Sequence, residues 1–271
     1  MNDQPSAKKA GTIKLGDFIL NRIGLGTNRI HDNQAGYDLL KKAIDLDINF
    51  IDTAHVYADG QSEKAIGNAL APYKEGLIVA TKGGMGNGAS PKQLRSELED
   101  SLRRLNTDQV DLYQLHRIDP ATPFKQTLKA IQGFQEEGLV KHVGLSEVTV
   151  AELEQALSVV QIVSVQNEYN VINKKHQQLV DYCTNNNIVF IPWFPLGGLA
   201  GDAQIVEQKL ETIAKKYQVS AQQIALAWLL KRSPMMLPIP GTTSIDHLKD
   251  NLESANIKLS DEDYQELNNI V

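Results

Sequence analysis

Four titratable residues in the first half of the chain stand where they could move a proton together. The apolar run NFID closes on Asp52, and Tyr57 follows in the loop HVYADG. Another run, LIVATK, closes on Lys82, and VDLYQLH closes on His116. A phenol is a poor acid at neutral pH, with an ordinary pKa of about 10, and a neighbouring cation makes it give up its proton more readily. Lys82 is such a cation, Asp52 is its natural counter-ion, and the His116 imidazole can orient a reacting group or assist a proton transfer. Singly, each residue has an ordinary structural explanation: a half-buried tyrosine, a solvated strand terminus, a hydrogen-bonded core histidine, a helix cap. Their joint placement at the ends of successive strand-like segments points instead to one site assembled from strand ends.

The elements that must position these groups are legible as alternating patterns. Residues 12–23 read TIKLGDFILNRI, two short apolar alternations around Gly16 and Asp17, which predicts a hairpin ahead of the main fold. Eight strand candidates follow, at 22–26, 49–53, 77–82, 110–116, 141–146, 162–167, 188–193 and 236–241. Helical patterns lie between them. Ser90-Pro91 and Thr122-Pro123 each offer a cap with proline at the first helical position, and Gly138 offers a left-handed stop. Leu94, Leu98, Leu102 and Leu105 form one helical face, and the segment around Ile224, Leu226 and Leu229 predicts a helix buried on more than one side, with Trp228 as packing. Strands alternating with helices in this number predict an α/β fold, a (β/α)8 TIM barrel, in which strand C-terminal ends and their loops build the active site.

Composition narrows the function classes. The chain has 271 residues, 42% of them hydrophobic, enough for a substantial core in one barrel domain over residues 12–271 behind a polar tail at 1–11. A net charge of −6 and no basic run argue against nucleic acid or an anionic membrane as the main partner. No apolar stretch reaches transmembrane length and the opening MNDQPSAKKAG has no signal-peptide core, so a cytoplasmic monomer is expected. The single cysteine, Cys183, excludes an internal disulfide and reads as a small buried hydrophobe. None of the histidines pairs at helical ligand spacing, and neither HExxH nor CxxC occurs, so no metal is expected.

The glycine-rich stretches do not carry a nucleotide fingerprint. Gly24-Leu25-Gly26-Thr27 lacks the third glycine of a dinucleotide turn, and GGMGNG at 83–88 lacks the ending of a phosphate loop and reads as a flexible loop over the site. The signal for a cofactor lies later in the chain. Ser146, Gln166 and Trp193 end the fifth, sixth and seventh strand candidates, where a hydroxyl, an amide and an aromatic face could clasp a planar carboxamide ring; an ordinary core tryptophan and a satisfied amide explain the same residues. Downstream, Gly241, Thr242, Thr243 and Ser244 lead into the helical run SIDHLKDNLES, whose hydroxyl-bearing N-terminus is suited to an anion.

Asp52, Tyr57, Lys82 and His116 match, residue by residue, the four catalytic positions of the aldo-keto reductases, and the resemblance extends from Arg22 to about Asn256. The runs VKHVGLS, VQNEYN, PWFPLGG, ALAWLLKRSP and IPGTTSIDHLKDN are most similar to the pyridoxal-reductase-like branch. The resemblance implies NADPH as cofactor, held by Gly26, Thr27, Asn28, Asp52, Ser146, Gln166, Trp193, Phe194, Pro195, Leu196, Gly197, Gly241, Thr242, Thr243, Ser244, His247 and Asn251. It implies Tyr57 as proton donor to a small-molecule carbonyl substrate, Lys82 as its activator balanced by Asp52, and His116 as the group orienting the carbonyl. Glu147 stands where many members have asparagine, Trp193 where many have tyrosine, and His247 where many have arginine. The sequence ends with LSDEDYQELNNIV, so the long C-terminal loop that shapes the pocket in longer members is not expected. With small residues across 27–33, 83–90 and 197–204, a wide mouth suited to an aromatic aldehyde such as pyridoxal is expected. A catalytically weak NADP(H)-binding sensor on the same barrel, or a different barrel enzyme, are the alternatives.

Overall fold

The hairpin expected over residues 12–23 forms, and it plugs the floor of a curled sheet. In the computed structural model, which describes residues 4–86, 88–197 and 204–269, β1 (Thr12–Leu15) pairs antiparallel with β2 (Phe18–Asn21) across the Gly16-Asp17 turn. The wall is a seven-stranded parallel sheet in sequential order: β3 (Leu25–Gly26), β4 (Phe50–Asp52), β5 (Ile78–Gly83), β6 (Val110–Leu115), β7 (Val140–Ser146), β8 (Ile162–Glu168) and β9 (Val189–Trp193). Helices α1 (Gln34–Asp45), α2 (Gln61–Leu70), α3 (Pro91–Leu105), α4 (Phe124–Glu136), α5 (Val150–Leu157) and α6 (Gln177–Asn185) connect successive strands. After β9 come α7 (Gln204–Tyr217), α8 (Ala221–Arg232), α9 (Ile245–Glu253) and α10 (Asp261–Asn268).

The eighth strand candidate, 236–241, is extended without forming a continuous ladder. It joins β9 through a Phe190–Met236 bridge and β3 through a Gly26–Gly241 bridge. Leu237 N donates to Phe190 O at 2.9 Å and Gly24 N to Pro238 O at 3.0 Å. The physical reason for the sparse pairing is in the sequence: Pro238 and Pro240 have no amide hydrogen to give. Closure at this seam also needs glycine, because a Cβ on Gly26 would lie 2.7 Å from Ile239 O.

Two apolar layers hold the sheet. Outward-facing residues such as Ile51, Val79, Tyr113 and Val165 pack beneath the helices. Inside the barrel, Phe50, Ile78, Ala80, Leu112, Val189, Ile191, Leu237 and Ile239 meet Ile13, Leu15 and Leu20 of the hairpin. Alternation along each strand therefore sorts side chains between the helix layer and the barrel interior.

The local signals mostly act where expected. Ser90 caps α3 by accepting Gln93 N, and Pro91 opens the helix. Gly138, at φ +79°, follows the end of α4 and donates to Gln135 O. Thr122-Pro123 differs: Pro123 is itself the N-cap of α4, and the Thr122 hydroxyl bonds Asp119 Oδ2 at 2.8 Å instead of capping the helix. Asp119 also accepts from Ala89 and Ala121 amides, and this local network captures the threonine. Cys183 is buried, and burial pushes its thiol up to about 12. Among the described residues no helix is long and apolar enough to cross a membrane, and no group of three or more metal-ligating side chains occurs.

Helix α8 is buried on several sides, and Trp228 lies between two rings: 5.6 Å and 19° from Tyr169, 6.3 Å and 23° from Tyr264. Trp228→Ala should cost about 3–5 kcal/mol, the range for emptying a large aromatic site, whereas Trp228→Phe should cost clearly less because a ring remains between the tyrosines. Urea unfolding of both variants checks this; equal losses would show that the stacking contributes nothing specific.

Candidate active site

The period-2 register that fills the barrel floor with apolar groups continues upward into polar ones. Phe50 leads to Asp52 on β4, Ile78 and Ala80 to Lys82 on β5, and Leu112 to Gln114 and His116 on and just beyond β6. Lys82 aligns with Gln114, and Gln114 with Gly144, in the parallel register. At Gly144 a Cβ would lie 2.3 Å from Ser164 Oγ and 3.0 Å from Gln114 Cγ, so the glycine leaves room for these interior side chains.

Asp52 is the hub. Lys82 Nζ donates to its Oδ2 at 2.6 Å, while Gln166 Nε2 and Gln114 Nε2 donate to Oδ1 at 2.8 and 3.1 Å. The ammonium completes its shell with Thr53 O at 2.8 Å and the Tyr57 hydroxyl at 3.3 Å. The His116 ring meets Tyr57 edge-on, with centroids 5.9 Å apart and planes at 82°. The structure thus brings Asp52, Tyr57, Lys82 and His116 together. Gln166, expected to face a carboxamide, has its amide nitrogen engaged by Asp52 and keeps its carbonyl oxygen.

Tyr57 is delivered by a tightly wound loop. Ala58 and Asp59 adopt left-handed backbone at φ +48° and +53°, conformations that cost non-glycine residues about 1–3 kcal/mol each. The surroundings hold the loop: His55 N donates to Lys82 O at 3.0 Å, and Arg104 Nη1 donates to His55 O at 3.0 Å. Arg104 also pairs with buried Glu63 at 3.2 Å, which accepts the Thr81 hydroxyl at 2.6 Å. Glu63 and Arg104 escaped the sequence reading because each looks like a solvated helix charge. Only the docking of α2 on α3 makes them partners.

Burial works against charge at both Lys82 and His116, with opposite outcomes. Desolvation pulls the Lys82 ammonium down, but the charges and hydrogen bonds of Asp52 and Tyr57 outweigh it, and its pKa ends above the ordinary lysine value. His116 has no carboxylate to compensate. Burial first, then the positive charges of Lys82 and Arg117, lower it from 6.5 to about 2, so the imidazole is neutral across physiological pH.

Above this floor opens a cavity of about 680 Å³. Among the expected cofactor residues, Gly26, Thr27, Asn28, Ser146, Gln166 and Gly241 line it, as does the stretch from Trp193 to Leu196. Gly197 does not, nor do Thr242, Thr243, Ser244, His247 and Asn251, which lie at or within α9. Ser244 caps that helix by accepting His247 N, and Thr242 Oγ1 accepts Ser244 N at 3.0 Å. The loop at 83–88 is pinned near its ends, with Gly84 N donating to Glu97 Oε2 at 2.7 Å and Ala89 N to Asp119 Oδ2 at 3.1 Å. Asn87 of that loop, and residues 198–203 of the expected pocket wall, lie outside the described residues.

Two departures noted in the sequence turn out to be one unit. Trp193 Nε1 donates to Glu147 Oε1 at 2.6 Å, and the same oxygen accepts Glu168 N at 2.8 Å. Glu147 reaches this position from left-handed backbone at φ +54°. An indole can only donate and a carboxylate can only accept, so the pair fixes the ring at the cavity wall. Arg29, Arg117 and Met85 also line the cavity and were not singled out from the sequence, although Arg117 directly follows His116.

The sequence profile of the Aldo/keto reductase family matches residues 22–271. An uncharacterized oxidoreductase of Schizosaccharomyces pombe is 45% identical, with 96% of this chain and 90% of that protein covered. Pyridoxine 4-dehydrogenase of Escherichia coli is 33% identical, with 93% of this chain and 96% of that protein covered. Among solved structures, an aldo-keto reductase of Klebsiella pneumoniae in complex with NADPH superposes with a TM-score of 0.84 at 27% identity, covering 94% of this chain and 93% of that one.

The neutral state of His116 has a measurable consequence. Below pH 6.5 the unfolded chain takes up a proton at this residue and the folded chain does not, so its contribution to stability is complete above pH 6.5 and is lost as pH falls toward 2. Wild type should lose about 1.4 kcal/mol per pH unit relative to His116→Gln once below that point. Urea melts of both proteins at pH 7, 6 and 5 (~1-unit steps) check this, and a difference independent of pH would contradict a buried neutral imidazole.

Proposed function

This chain belongs to the aldo/keto reductase family, and from that premise we propose that it is an NADPH-dependent reductase of aldehydes and ketones with Tyr57 as its proton donor. The observation that carries the proposal is the Lys82 ammonium, 2.6 Å from Asp52 and 3.3 Å from the Tyr57 hydroxyl, at the base of a cavity also lined by His116.

The donor set fits a nicotinamide coenzyme. Ser146 offers a hydroxyl, Gln166 a carbonyl oxygen and Trp193 a ring face, and all three line one cavity. The N-terminus of α9, with Thr242, Ser244 and His247, supplies amides and side chains suited to a phosphate, which favours NADPH over NADH. When bound, the coenzyme supplies a hydride to the carbonyl carbon.

The chain's own residues do the rest. Tyr57 gives its hydroxyl proton to the carbonyl oxygen, and Lys82 stabilises the negative charge as it passes from one oxygen to the other. Asp52 keeps the ammonium charged and aimed, itself fixed by Gln114 and Gln166. Neutral His116 orients the carbonyl without competing as an acid. Bulk water is kept from the ammonium, which is fully buried.

An aromatic aldehyde is the favoured substrate, because Tyr57, Trp193 and Phe194 present ring surface to the cavity. Pyridoxal is the first named candidate, supported by the branch-level likeness and by the relative called pyridoxine 4-dehydrogenase.

Tyr57→Phe should lower turnover by about 10²- to 10⁴-fold, the usual contribution of a positioned general acid, while NADPH still quenches tryptophan fluorescence. Near-native turnover would remove Tyr57 from its role. For the substrate, steady-state kinetics with pyridoxal, 4-nitrobenzaldehyde and an open-chain aldose should give pyridoxal the highest kcat/KM, and NADPH should outperform NADH in each case. If simple aldehydes outperform pyridoxal, pyridoxal is not the selected substrate, although carbonyl reduction stands.

A further inference from the structure

The charge lining the cavity is opposite in sign to that of the whole chain. The sequence carries a net charge of −6, yet among the described residues the charged side chains bordering the cavity are Arg29, Arg117 and Asp52. Asp52 is already neutralised by the Lys82 ammonium at 2.6 Å, and His116 is uncharged. Neither arginine has a carboxylate within ion-pair distance among the described residues. Two uncompensated positive charges therefore face the space a ligand would occupy.

The arginines sit differently. Arg29 is exposed and donates to Gly241 O at 3.2 Å, on the side of the seam that leads to α9. A phosphate-bearing coenzyme would satisfy a cation there. Arg117 is half-buried, directly follows His116 and lines the same cavity as Tyr57 and His116. Its Nη1 donates to His116 O at 2.7 Å and to Ser146 Oγ at 3.1 Å, both neutral acceptors. These bonds hold the guanidinium in place while leaving its other nitrogens without hydrogen-bond partners among the described residues. A guanidinium kept partly from water with no counter-ion is poised for a bidentate anion.

We infer that Arg117 is a substrate-recognition residue that selects carbonyl compounds carrying an anionic group, a carboxylate or a phosphate, on the same molecule as the carbonyl. The inference rests on the reductase reading above and refines its substrate class, ranking aldehydes that carry a carboxylate or phosphate above matched aldehydes that lack one, pyridoxal among the latter. Anion and carbonyl then engage groups of one cavity, the anion at Arg117 and the carbonyl at its chain neighbour His116 and at Tyr57.

Matched substrates test it. Steady-state kinetics with NADPH would compare 4-carboxybenzaldehyde with 4-nitrobenzaldehyde, and pyridoxal 5′-phosphate with pyridoxal, for wild type, Arg117→Met and Arg117→Lys. Wild type should favour at least one anionic member, and the pair that responds identifies carboxylate or phosphate as the preferred group. Arg117→Met should reduce the anionic-to-neutral ratio of kcat/KM by roughly tenfold or more, the scale of a lost charge-assisted hydrogen bond, and Arg117→Lys should restore part of it. Circular dichroism and thermal unfolding establish that each variant is folded; should Arg117→Met fail to fold, the Lys variant carries the comparison, with a reduced but positive anionic preference expected. A ratio unchanged by either substitution, or equal loss with both members of each pair, would mean that Arg117 only holds Ser146 and would overturn the inference while leaving the reductase reading intact. No turnover of any aldehyde by wild type would overturn both.

Discussion

A fully buried ammonium is the constraint on which the rest of this site depends. Removing a lysine charge from water costs several kcal/mol unless close partners replace the lost solvation. For Lys82 those partners are Asp52, the Thr53 carbonyl and the Tyr57 hydroxyl. Asp52 faces the same requirement and meets it with two glutamines from strands β6 and β8. Removing one partner would leave an unpaired charge in the interior, so the geometry that holds the ammonium is also the geometry that holds the phenol. The contacts that keep the ammonium buried and paired are the same ones that fix the Tyr57 hydroxyl beside it.

The barrel makes this burial affordable by changing character along its axis. Below, the interior is apolar and sealed by Ile13, Leu15 and Leu20 of the hairpin. Above, the same inward register carries Asp52, Lys82, Gln114, Ser146 and Gln166. The sealed floor keeps water from reaching the ion pair from beneath, which strengthens its electrostatics. Left-handed non-glycine backbone occurs in the loops after β4, β7 and β9, at Ala58, Asp59, Glu147 and Phe194, and also just past helix ends, at Asp47, Asn106, Asn187 and Gln218. The turn at Phe194 is held by a specific bond, with Asn170 Nδ2 donating to Phe194 O at 3.0 Å.

Glu147 and Trp193 show how a substitution can change chemistry while preserving a surface. A tyrosine at the end of β9 would present a ring with a hydroxyl that both donates and accepts; a tryptophan presents a larger ring with a donor only. The carboxylate across the strand end supplies the matching acceptor, and its second bond to the Glu168 amide anchors it to β8. The indole is thereby held from behind, and its face remains available to the cavity.

Much of the fold was legible in the chain. Strand and helix periods marked the barrel, because alternation on strands and a 3.6-residue repeat on helices follow from which faces are buried. Asp52, Lys82 and His116 could be picked out because each ends an apolar run, and Tyr57 because it closely follows one. The sequence alone could not show that Glu63 and Arg104 brace the Tyr57 loop, that Gln166 turns its amide nitrogen to Asp52, or that Glu147 holds Trp193. The reason is physical: periodicity reports which way a side chain points, whereas a charge or amide acquires its partner only when elements distant in sequence pack at a fixed register. Tertiary structure also decided that Arg117 lines the cavity without a counter-ion among the described residues, since the absence of a neighbouring carboxylate is a property of three-dimensional surroundings and leaves no mark along the chain.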